Sequence, residues 1–224
     1  MNNTSQNLTS RREMNEEVER RTNSTLTLAM SLSSLFVVLV VLSNVLSTKI
    51  ITIAGLANDA GTLIYPFTFV IKDLIQKRYG RKVARKIIYI AYSALLFSFA
   101  SFWAVGKIPS DPSWVNQDAY DAILTPFGRL VLASIVAGVI SELLDTKVFS
   151  VLWKKTGQIW VALISNIIGV LVDSAIFTAI GFLGDLPLEA LVGIFITNTS
   201  VKIGLSIFGA PSVLLVKPTA RDLI

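Results

Sequence analysis

The chain has 224 residues, of which 53% are hydrophobic and 16% charged, and its formal net charge is +5. Soluble domains carry about 25% charged residues, so this composition excludes an ordinary water-soluble domain. The sequence contains no cysteine and no histidine, which excludes a disulfide framework, a Cys/His zinc site and catalysis by either residue. We therefore expect no metal and no cofactor. The pI of about 9.5 is attributed to basic loops on the cytoplasmic side of a membrane, and no nucleic acid partner is expected.

The apolar residues are gathered into segments long enough to cross a bilayer. A hydrocarbon core of about 30 Å requires about 20 mostly apolar residues per helix. Residues 1–25 are too polar and too long for the start of a signal peptide, and they predict a cytoplasmic tail with a helical stretch over Ser10–Arg21. Residues 26–217 predict an all-α, polytopic domain of six transmembrane helices, and residues 218–224 a short cytoplasmic C-terminus. The predicted helices are Leu26–Thr48, Ala60–Arg78, Val83–Val105, Phe127–Trp153, Gln158–Leu183 and Leu188–Val216.

Basic residues indicate how these helices are oriented. The loop Gly106–Leu124 contains two prolines and three aspartates, so it is expected to lie outside the bilayer, with Trp114 and Tyr120 at the interface. Lys and Arg cluster in the tail, in the second-to-third connection, at the fourth-to-fifth turn and at the C-terminus: Arg11, Arg12, Arg20, Arg21, Lys77, Arg78, Arg81, Lys82, Arg85, Lys86, Lys154, Lys155, Lys217 and Arg221. The positive-inside rule then predicts that both ends of this cell-membrane protein lie in the cytoplasm.

Ionisable side chains inside the predicted spans are the strongest functional signal. A charge near the bilayer centre costs several kcal/mol on insertion scales, so it normally faces a partner or a cavity. Lys147 can snorkel to the cytoplasmic interface, while Glu142 and Asp145 share one face of the fourth helix. Pairing within the bundle would explain some of these charges. Four carboxylates face at most three lysines, however, so at least one acid is left for a ligand, a proton or water: Lys72, Asp73, Glu142, Asp145, Lys147, Asp173 and Lys202.

Two further patterns indicate a polar cavity. Gly55, Gly61 and Pro66 surround the start of the second helix, after a loop at Ile53–Asp59, and irregular backbone at membrane depth needs protein or water to satisfy it. An ordinary loop followed by a proline kink is the alternative. The segments SELLDTKVF (141–149) and GVLVDSAIF (169–177) share an Asp and a Phe four residues later. This similarity could arise by chance in apolar sequence, or it could mark a duplicated ligand-binding element. We favour the duplicated element.

Four segments carry a family resemblance: LSNVLSTKI (42–50), AGTLIYPFTFVIKDLIQKRYGRKVAR (60–85), SELLDTKVF and the later Asp–Ser–x–x–Phe. Together, from about Leu42 to Pro211, they resemble the vitamin-uptake-type family of queuosine precursor transporters. The resemblance implies a six-helix membrane protein that imports a 7-deazaguanine base, 7-cyano-7-deazaguanine or a related precursor, for tRNA modification. The sequence departs from the family pattern at polar positions; Lys77, for example, replaces a usual Glu.

The resemblance also suggests a binding site. A 7-deazaguanine is flat and presents a ring N–H beside an exocyclic amine, and a carboxylate can accept both hydrogen bonds. Aromatic rings would add stacking. The predicted substrate-binding residues are Asp145 or Asp173 for this edge, Phe67, Phe149 or Phe177 for stacking, Asn44 and Asp73 for the polar lining, Lys72 or Lys202 for charge balance or the ligand carbonyl, and Glu142 as a candidate proton site. No catalytic or metal-binding residue is predicted.

The energy source and the competing functions stay open at this stage. The sequence contains no Gly-x-x-x-x-Gly-Lys phosphate loop, so it does not hydrolyse ATP by that route. It could be a facilitator, an ion-coupled carrier or a substrate-binding subunit of a separate energy-coupling ATPase, and it could form a homo-oligomer. The alternatives to a precursor importer are a transporter of another vitamin-like heteroaromatic molecule, an intramembrane enzyme and a scaffold or channel subunit. We expect a small-molecule importer and not an enzyme.

Overall fold

The N-terminal helix is longer than its apolar segment. The structure, a computed structural model, describes residues 2–53, 56–124, 128–153, 155–184 and 187–216. Helix α1 runs without a break over Asn2–Leu46, whereas the sequence predicted a transmembrane helix only from Leu26. The polar stretch before Leu26 contains neither glycine nor proline to end a helix, and Arg20 lies 3.7 Å from Glu16 one turn earlier. The helix therefore includes the predicted helical stretch of the tail.

Helices also make up most of the remaining chain. They are α2 (Pro66–Tyr79), α3 (Arg81–Gly106), the short α4 (Gln117–Leu124), α5 (Gly128–Leu152), α6 (Gln158–Phe182) and α7 (Leu188–Gly209), with 3₁₀ turns at Ala60–Leu63 and Ala210–Leu215. Within the described residues, four stretches are long and apolar enough to cross a bilayer: Met14–Leu46, Arg81–Gly106, Gln158–Phe182 and Leu191–Leu215. The all-α membrane class is thus confirmed, while six crossings and their orientation stay predictions.

The two predicted helices outside that set of four differ for identifiable reasons. Helix α2 has only 14 residues, because the predicted helix Ala60–Arg78 is divided into a 3₁₀ turn and an α-helix that begins at Pro66. Proline is favoured at this first helical position, where its missing N–H is not needed. Helix α5 has 25 residues but carries Glu142, Asp145 and Lys147 in its second half. Helix α2 is thus too short, and helix α5 too rich in charged residues, to resemble a simple apolar span.

A small hairpin precedes the first 3₁₀ turn, where the sequence predicted only a loop at Ile53–Asp59. Strands β1 (Ile50–Ile53) and β2 (Leu56–Asp59) are antiparallel, with Ile50 opposite Asp59 and Ile53 opposite Leu56. Gly55 lies outside the described residues. So do Lys154, Lys217, Arg221 and the predicted C-terminus (218–224).

Helix α2 occupies the centre of the bundle. It contacts α1, α3, α5, α6 and α7, and most of its residues between Thr68 and Lys77 are buried. Its apolar contacts include Ile75, which packs in a core with Phe36 and Val40 of α1 and Ile88 of α3. Charged side chains on this short helix therefore point into protein rather than into lipid.

Candidate functional site

A small polar cavity lies where the end of α1, the 3₁₀ turn before α2 and the middle of α6 and α7 meet. About 380 Å³ of empty space, open solvent at the mouth included, lies among its lining residues. Hydroxyl, amide, aromatic and charged groups line it: Ser43, Asn44, Ser47, Gly61, Thr62, Tyr65, Ser134, Asp173, Phe177, Asn198 and Lys202. Small-molecule sites combine aromatic walls with a few placed polar groups in this way. The cavity is therefore the candidate binding site.

A buried ion pair forms one wall of the cavity. Lys202 Nζ of α7 lies 2.9 Å from Asp173 Oδ2 of α6, and both side chains are at most 7% exposed. The Tyr65 hydroxyl donates to the other oxygen, Asp173 Oδ1, at 2.9 Å, and the Ser141 hydroxyl lies 3.4 Å from the same atom. The Lys202 ammonium also lies 4.8 Å from the centre of the Tyr65 ring. These contacts hold a hydrogen-bond acceptor and a donor side by side at the cavity wall.

The 3₁₀ turn before α2 is packed tightly against α1. A Cβ atom at Gly61 would lie 2.1 Å from both the Ser43 carbonyl oxygen and the Ser47 hydroxyl, so the close approach requires glycine. The next residue, Thr62, donates its hydroxyl to Asn198 Oδ1 of α7 at 2.9 Å. The turn thereby joins α1 to α7 beside the cavity.

A second group of charges lies deeper in the bundle, along α2 and α5. Lys72 Nζ is 2.8 Å from Asp73 Oδ1 and also pairs with Asp145 Oδ2. All three side chains are essentially inaccessible to solvent. A buried charge is costly unless it is paired and hydrogen-bonded, and this lysine serves two carboxylates at once. These residues form a buried charge cluster, which does not line the cavity.

Glu142 adjoins the buried charge cluster but makes no salt bridge among the described residues. Its side chain is fully buried, and its Oε1 lies 2.9 Å from the Thr68 hydroxyl. Its second oxygen, Oε2, has no hydrogen-bond partner in the part of the chain that the structure describes. Glu142 is therefore a buried carboxyl group with spare hydrogen-bonding capacity.

At the far end of α2, a group of packed side chains surrounds Lys77. We call it the Lys77 layer, and it consists of Lys77, Phe149, Trp153, Gln158 and Val213. The Lys77 ammonium donates to Gln158 Oε1 at 2.6 Å and to the Val213 carbonyl at 2.8 Å, which joins α2 to α6 and to the second 3₁₀ turn. Phe149 and Trp153 stack beside it with ring centres 5.4 Å apart. Phe149 is fully buried and packs with apolar residues of α6 and of the 3₁₀ turn.

The structure divides the predicted substrate-binding residues into separate groups. Four of them line the cavity: Asn44, Asp173, Phe177 and Lys202. Another four form or adjoin the buried charge cluster: Lys72, Asp73, Glu142 and Asp145. Phe149 belongs to the Lys77 layer, and Phe67 is 44% exposed and does not line the cavity. The two similar Asp–Phe segments therefore contribute to different places, and their ligand-binding role stays a prediction.

Several cavity residues were not singled out from the sequence. Tyr65 and Thr62 lie within the segment AGTLIYPFTF that carries the resemblance, but a tyrosine and a threonine near a helix start are too common to be informative. The partner of Tyr65, the Tyr92 hydroxyl of α3, lies 3.2 Å away. Asn198 lies in the polar stretch Thr197–Ser200 of the otherwise apolar helix α7. It was the clearest signal in the sequence, because an amide inside a membrane helix usually bonds to another helix.

Comparisons with known proteins place the chain among transporters. The family described as "Putative vitamin uptake transporter" matches residues 59–216. The "Probable queuosine precursor transporter" of Bacillus subtilis (strain 168) is 29% identical over 183 residues, which cover 76% of each chain. The Haemophilus influenzae protein of the same name is 32% identical over 142 residues, covering 59% of this chain and 57% of the relative. The "Queuosine precursor transporter" of Escherichia coli (strain K12) is 30% identical over 154 residues, or 66% of each chain. No solved structure matches the chain.

Proposed function

This chain belongs to the vitamin uptake transporter family, and we propose that it imports a queuosine precursor, a 7-deazaguanine base, through the cavity between α1, α6 and α7. As a family member it is a multi-pass protein of the cell membrane and a transporter rather than an enzyme. The names of its relatives support the substrate class. The observation that carries the proposal is the Asp173–Lys202 pair in the cavity wall.

The pair complements the edge of a 7-deazaguanine. This edge presents a carbonyl oxygen, a ring N–H and an exocyclic amine in a row. Lys202 would donate to the carbonyl, while Asp173 would accept from the two nitrogen donors, and both bonds are strengthened because the protein groups are charged. An adenine-type edge carries an amine where guanine has its carbonyl, so it would place a donor against the Lys202 ammonium. We therefore expect guanine-type bases to be preferred, because a buried donor without an acceptor is costly.

Neighbouring side chains would hold the plane of the base. Phe177 lies one helical turn after Asp173 and lines the same cavity, so its ring can stack on a base bound at the carboxylate. The Asn44 amide donates to the Val40 carbonyl at 2.9 Å, which leaves its own oxygen available to a ligand donor. We assign stacking to Phe177 rather than to Phe67 or Phe149, because neither of the latter lines the cavity.

The proposed route runs along α2. If the chain crosses the membrane six times with both ends in the cytoplasm, the cavity opens toward the outer side, at the end of α1 and the start of α2. The buried charge cluster and the Lys77 layer then lie between the bound base and the cytoplasm. Import would require these two layers to open while the turn at Gly61 and Thr62 closes the outer side, as in alternating access. A separate ATPase or a homo-oligomer stays a prediction.

Ligand-dependent thermal stability tests the substrate assignment. Purified wild-type protein in detergent would be heated with 7-cyano-7-deazaguanine, guanine, adenine and water-soluble vitamins. A ligand at 100 times its dissociation constant stabilises the folded state by about 2.7 kcal/mol, which is measurable as a higher melting temperature. We expect stabilisation by the 7-deazaguanine and less or none by adenine. Stabilisation by a vitamin alone would favour the alternative, a carrier of another heteroaromatic molecule.

A further inference from the structure

The charges buried in the bundle do not balance. Among the described residues, Lys72 is shared by Asp73 and Asp145, and Lys202 is paired with Asp173. Lys77 donates to an amide and a carbonyl instead of a carboxylate. The titratable groups that face Glu142 are a lysine already shared by two acids, further acids and two tyrosines: Lys72, Asp73, Asp145, Tyr65 and Tyr92. None of these supplies a cation for Glu142 alone.

The hydroxyl group beside Glu142 indicates how this carboxyl group is satisfied. Thr68 Oγ1 lies 2.9 Å from Glu142 Oε1 and 2.7 Å from the Tyr65 carbonyl oxygen. A hydroxyl has one hydrogen to donate and can also accept. Both contacts are full two-centre hydrogen bonds only when Glu142 carries a proton and donates it to Thr68, while Thr68 donates to the carbonyl. When Glu142 is ionised, the single hydrogen of Thr68 must be shared between the two oxygens or turn from the carbonyl to the carboxylate. The hydrogen bonding of Thr68 therefore changes when Glu142 gains or loses one proton.

This proton-sensitive contact is next to the cavity. Tyr65, whose carbonyl shares the Thr68 hydroxyl, donates its own hydroxyl to Asp173 at 2.9 Å. Ser141, the residue before Glu142, lies 3.4 Å from the same Asp173 oxygen. Two short connections therefore link the carboxyl group of Glu142 to the ion pair in the cavity wall. A base that changes the bonding of Asp173 would therefore act on Tyr65, whose carbonyl bonds the hydroxyl beside Glu142, and on Ser141, which precedes Glu142 in the chain.

We propose that Glu142 is the proton-binding site that couples substrate import to proton entry, an inference that rests on the proposed import function. One proton from the outer side binds the Glu142 carboxylate and forms its O–H bond while the cavity is open outward. The proton and the base then cross together, and the O–H bond breaks on the cytoplasmic side to regenerate the carboxylate. Each neutral base thus enters with one proton, and no ATP is needed for this cycle.

Proteoliposomes containing the wild-type protein and an internal pH-sensitive dye test the coupling directly. 7-Cyano-7-deazaguanine is added outside, and both its uptake and the internal pH are recorded with and without a gradient that is acidic outside. A gradient of one pH unit allows about tenfold accumulation per coupled proton. We expect internal acidification that depends on the base, and accumulation that a protonophore abolishes. Uptake without acidification, at the same level with and without the gradient, would overturn the proposal.

The variant Glu142→Gln keeps the size and hydrogen-bonding capacity of the side chain but cannot release a proton. We expect its ratio of uptake with the gradient to uptake without it to fall to about one, together with loss of base-dependent acidification. Asp118→Asn is the matched control, because Asp118 is an exposed acid of the short helix α4, and its ratio should equal that of the wild type. A Glu142→Gln ratio equal to the wild-type ratio would exclude Glu142 as the coupling site.

Exchange across the membrane separates this inference from the proposed function. Vesicles loaded with unlabelled base and placed in labelled base at equal pH on both sides need no net proton movement. Wild-type exchange at equal pH, together with net uptake that the pH gradient does not change, would contradict the coupling and leave the import function intact. Absence of wild-type exchange as well as uptake would contradict the import function itself.

Discussion

Removing one member of the Asp173–Lys202 pair should destabilise the protein far more than removing both. In Asp173→Asn, the ammonium of Lys202 loses its partner at 2.9 Å while it remains almost inaccessible to solvent. In Lys202→Met, the carboxylate of Asp173 keeps, among the residues that the structure describes, only the hydroxyls of Tyr65 and Ser141. Breaking a buried pair from one side costs about 3–5 kcal/mol, because the remaining charge is uncompensated. Either single variant should therefore unfold about 10 °C below the wild type.

The double variant Asp173→Asn/Lys202→Met leaves no unpaired charge. The asparagine oxygen can still accept from Tyr65, and methionine fills most of the volume of the lysine stem. Because a buried ion pair is often worth little relative to a neutral replacement, we expect stability within about 1 kcal/mol of the wild type. The coupling energy from the double-mutant cycle should then exceed about 2 kcal/mol.

The assay is reversible unfolding in mixed detergent micelles, followed by tryptophan fluorescence, with ligand-induced stabilisation measured on the same samples. The folded double variant should show no stabilisation by 7-cyano-7-deazaguanine, because the groups that read its edge are absent. Additive effects of the two single substitutions would show that the ion pair is not coupled. Ligand stabilisation in the double variant would remove this pair from the binding site.

The turn at Gly61, the ring of Phe177 and the Lys77 layer can each be tested by one substitution and a matched control. Gly61→Ala should lower stability and transport because its Cβ would lie 2.1 Å from the Ser43 carbonyl; Gly193→Ala, with no neighbouring atom within 4 Å, is the control, and equal effects in thermal unfolding would refute the packing argument. Phe177→Ala should weaken binding by about tenfold or more through lost stacking, whereas Phe97→Ala, which changes a 74% exposed ring, should not; equal dissociation constants for the two variants would argue against stacking. Lys77→Gln should open the Lys77 layer, because it removes the ammonium that bonds Gln158 and Val213. A cysteine introduced at buried Ala210 should then react faster with a polar maleimide than it does in the background with Lys77. A cysteine introduced at exposed Lys155 is the control and should react at the same rate in both backgrounds. The native chain contains no cysteine to interfere, and unchanged labelling at position 210 would contradict the last prediction.

Helices were predictable where an apolar run ends at a clear signal. Helix α6 (Gln158–Phe182) begins at the residue predicted for the fifth helix, because Gly157 directly precedes the apolar run. Its end lies within one residue of the predicted Leu183, because Gly184 and Asp185 follow the run. The start of α1 was not predictable from apolarity, because a polar segment without glycine or proline can continue a helix into water. The hairpin was missed because each of its strands has four residues, which is too short to show a pattern.

The site was predictable in its chemistry but not in its pairing. Each ionisable residue placed inside the spans from sequence, Lys147 excepted, is buried in the structure. Which lysine meets which acid depends on how far each helix is rotated about its axis, and periodicity within one helix does not give the rotation relative to another. Lys72 and Lys202 were equivalent candidates in the sequence, yet only Lys202 reaches the cavity. Tyr65 could not be predicted as a site residue for the same reason, because its role depends on its hydrogen bond to Asp173 of another helix, α6.

Exchange of labelled 7-cyano-7-deazaguanine across proteoliposome membranes shows whether the Asp173–Lys202 cavity carries the base. Vesicles would be loaded with unlabelled base, with either the wild type or the folded Asp173→Asn/Lys202→Met variant in the membrane. We expect rapid entry of label through the wild type, competition by guanine in preference to adenine, and no entry above that of empty vesicles through the variant. Equal entry through both proteins, or no entry through the wild type, would contradict import of a 7-deazaguanine through this cavity.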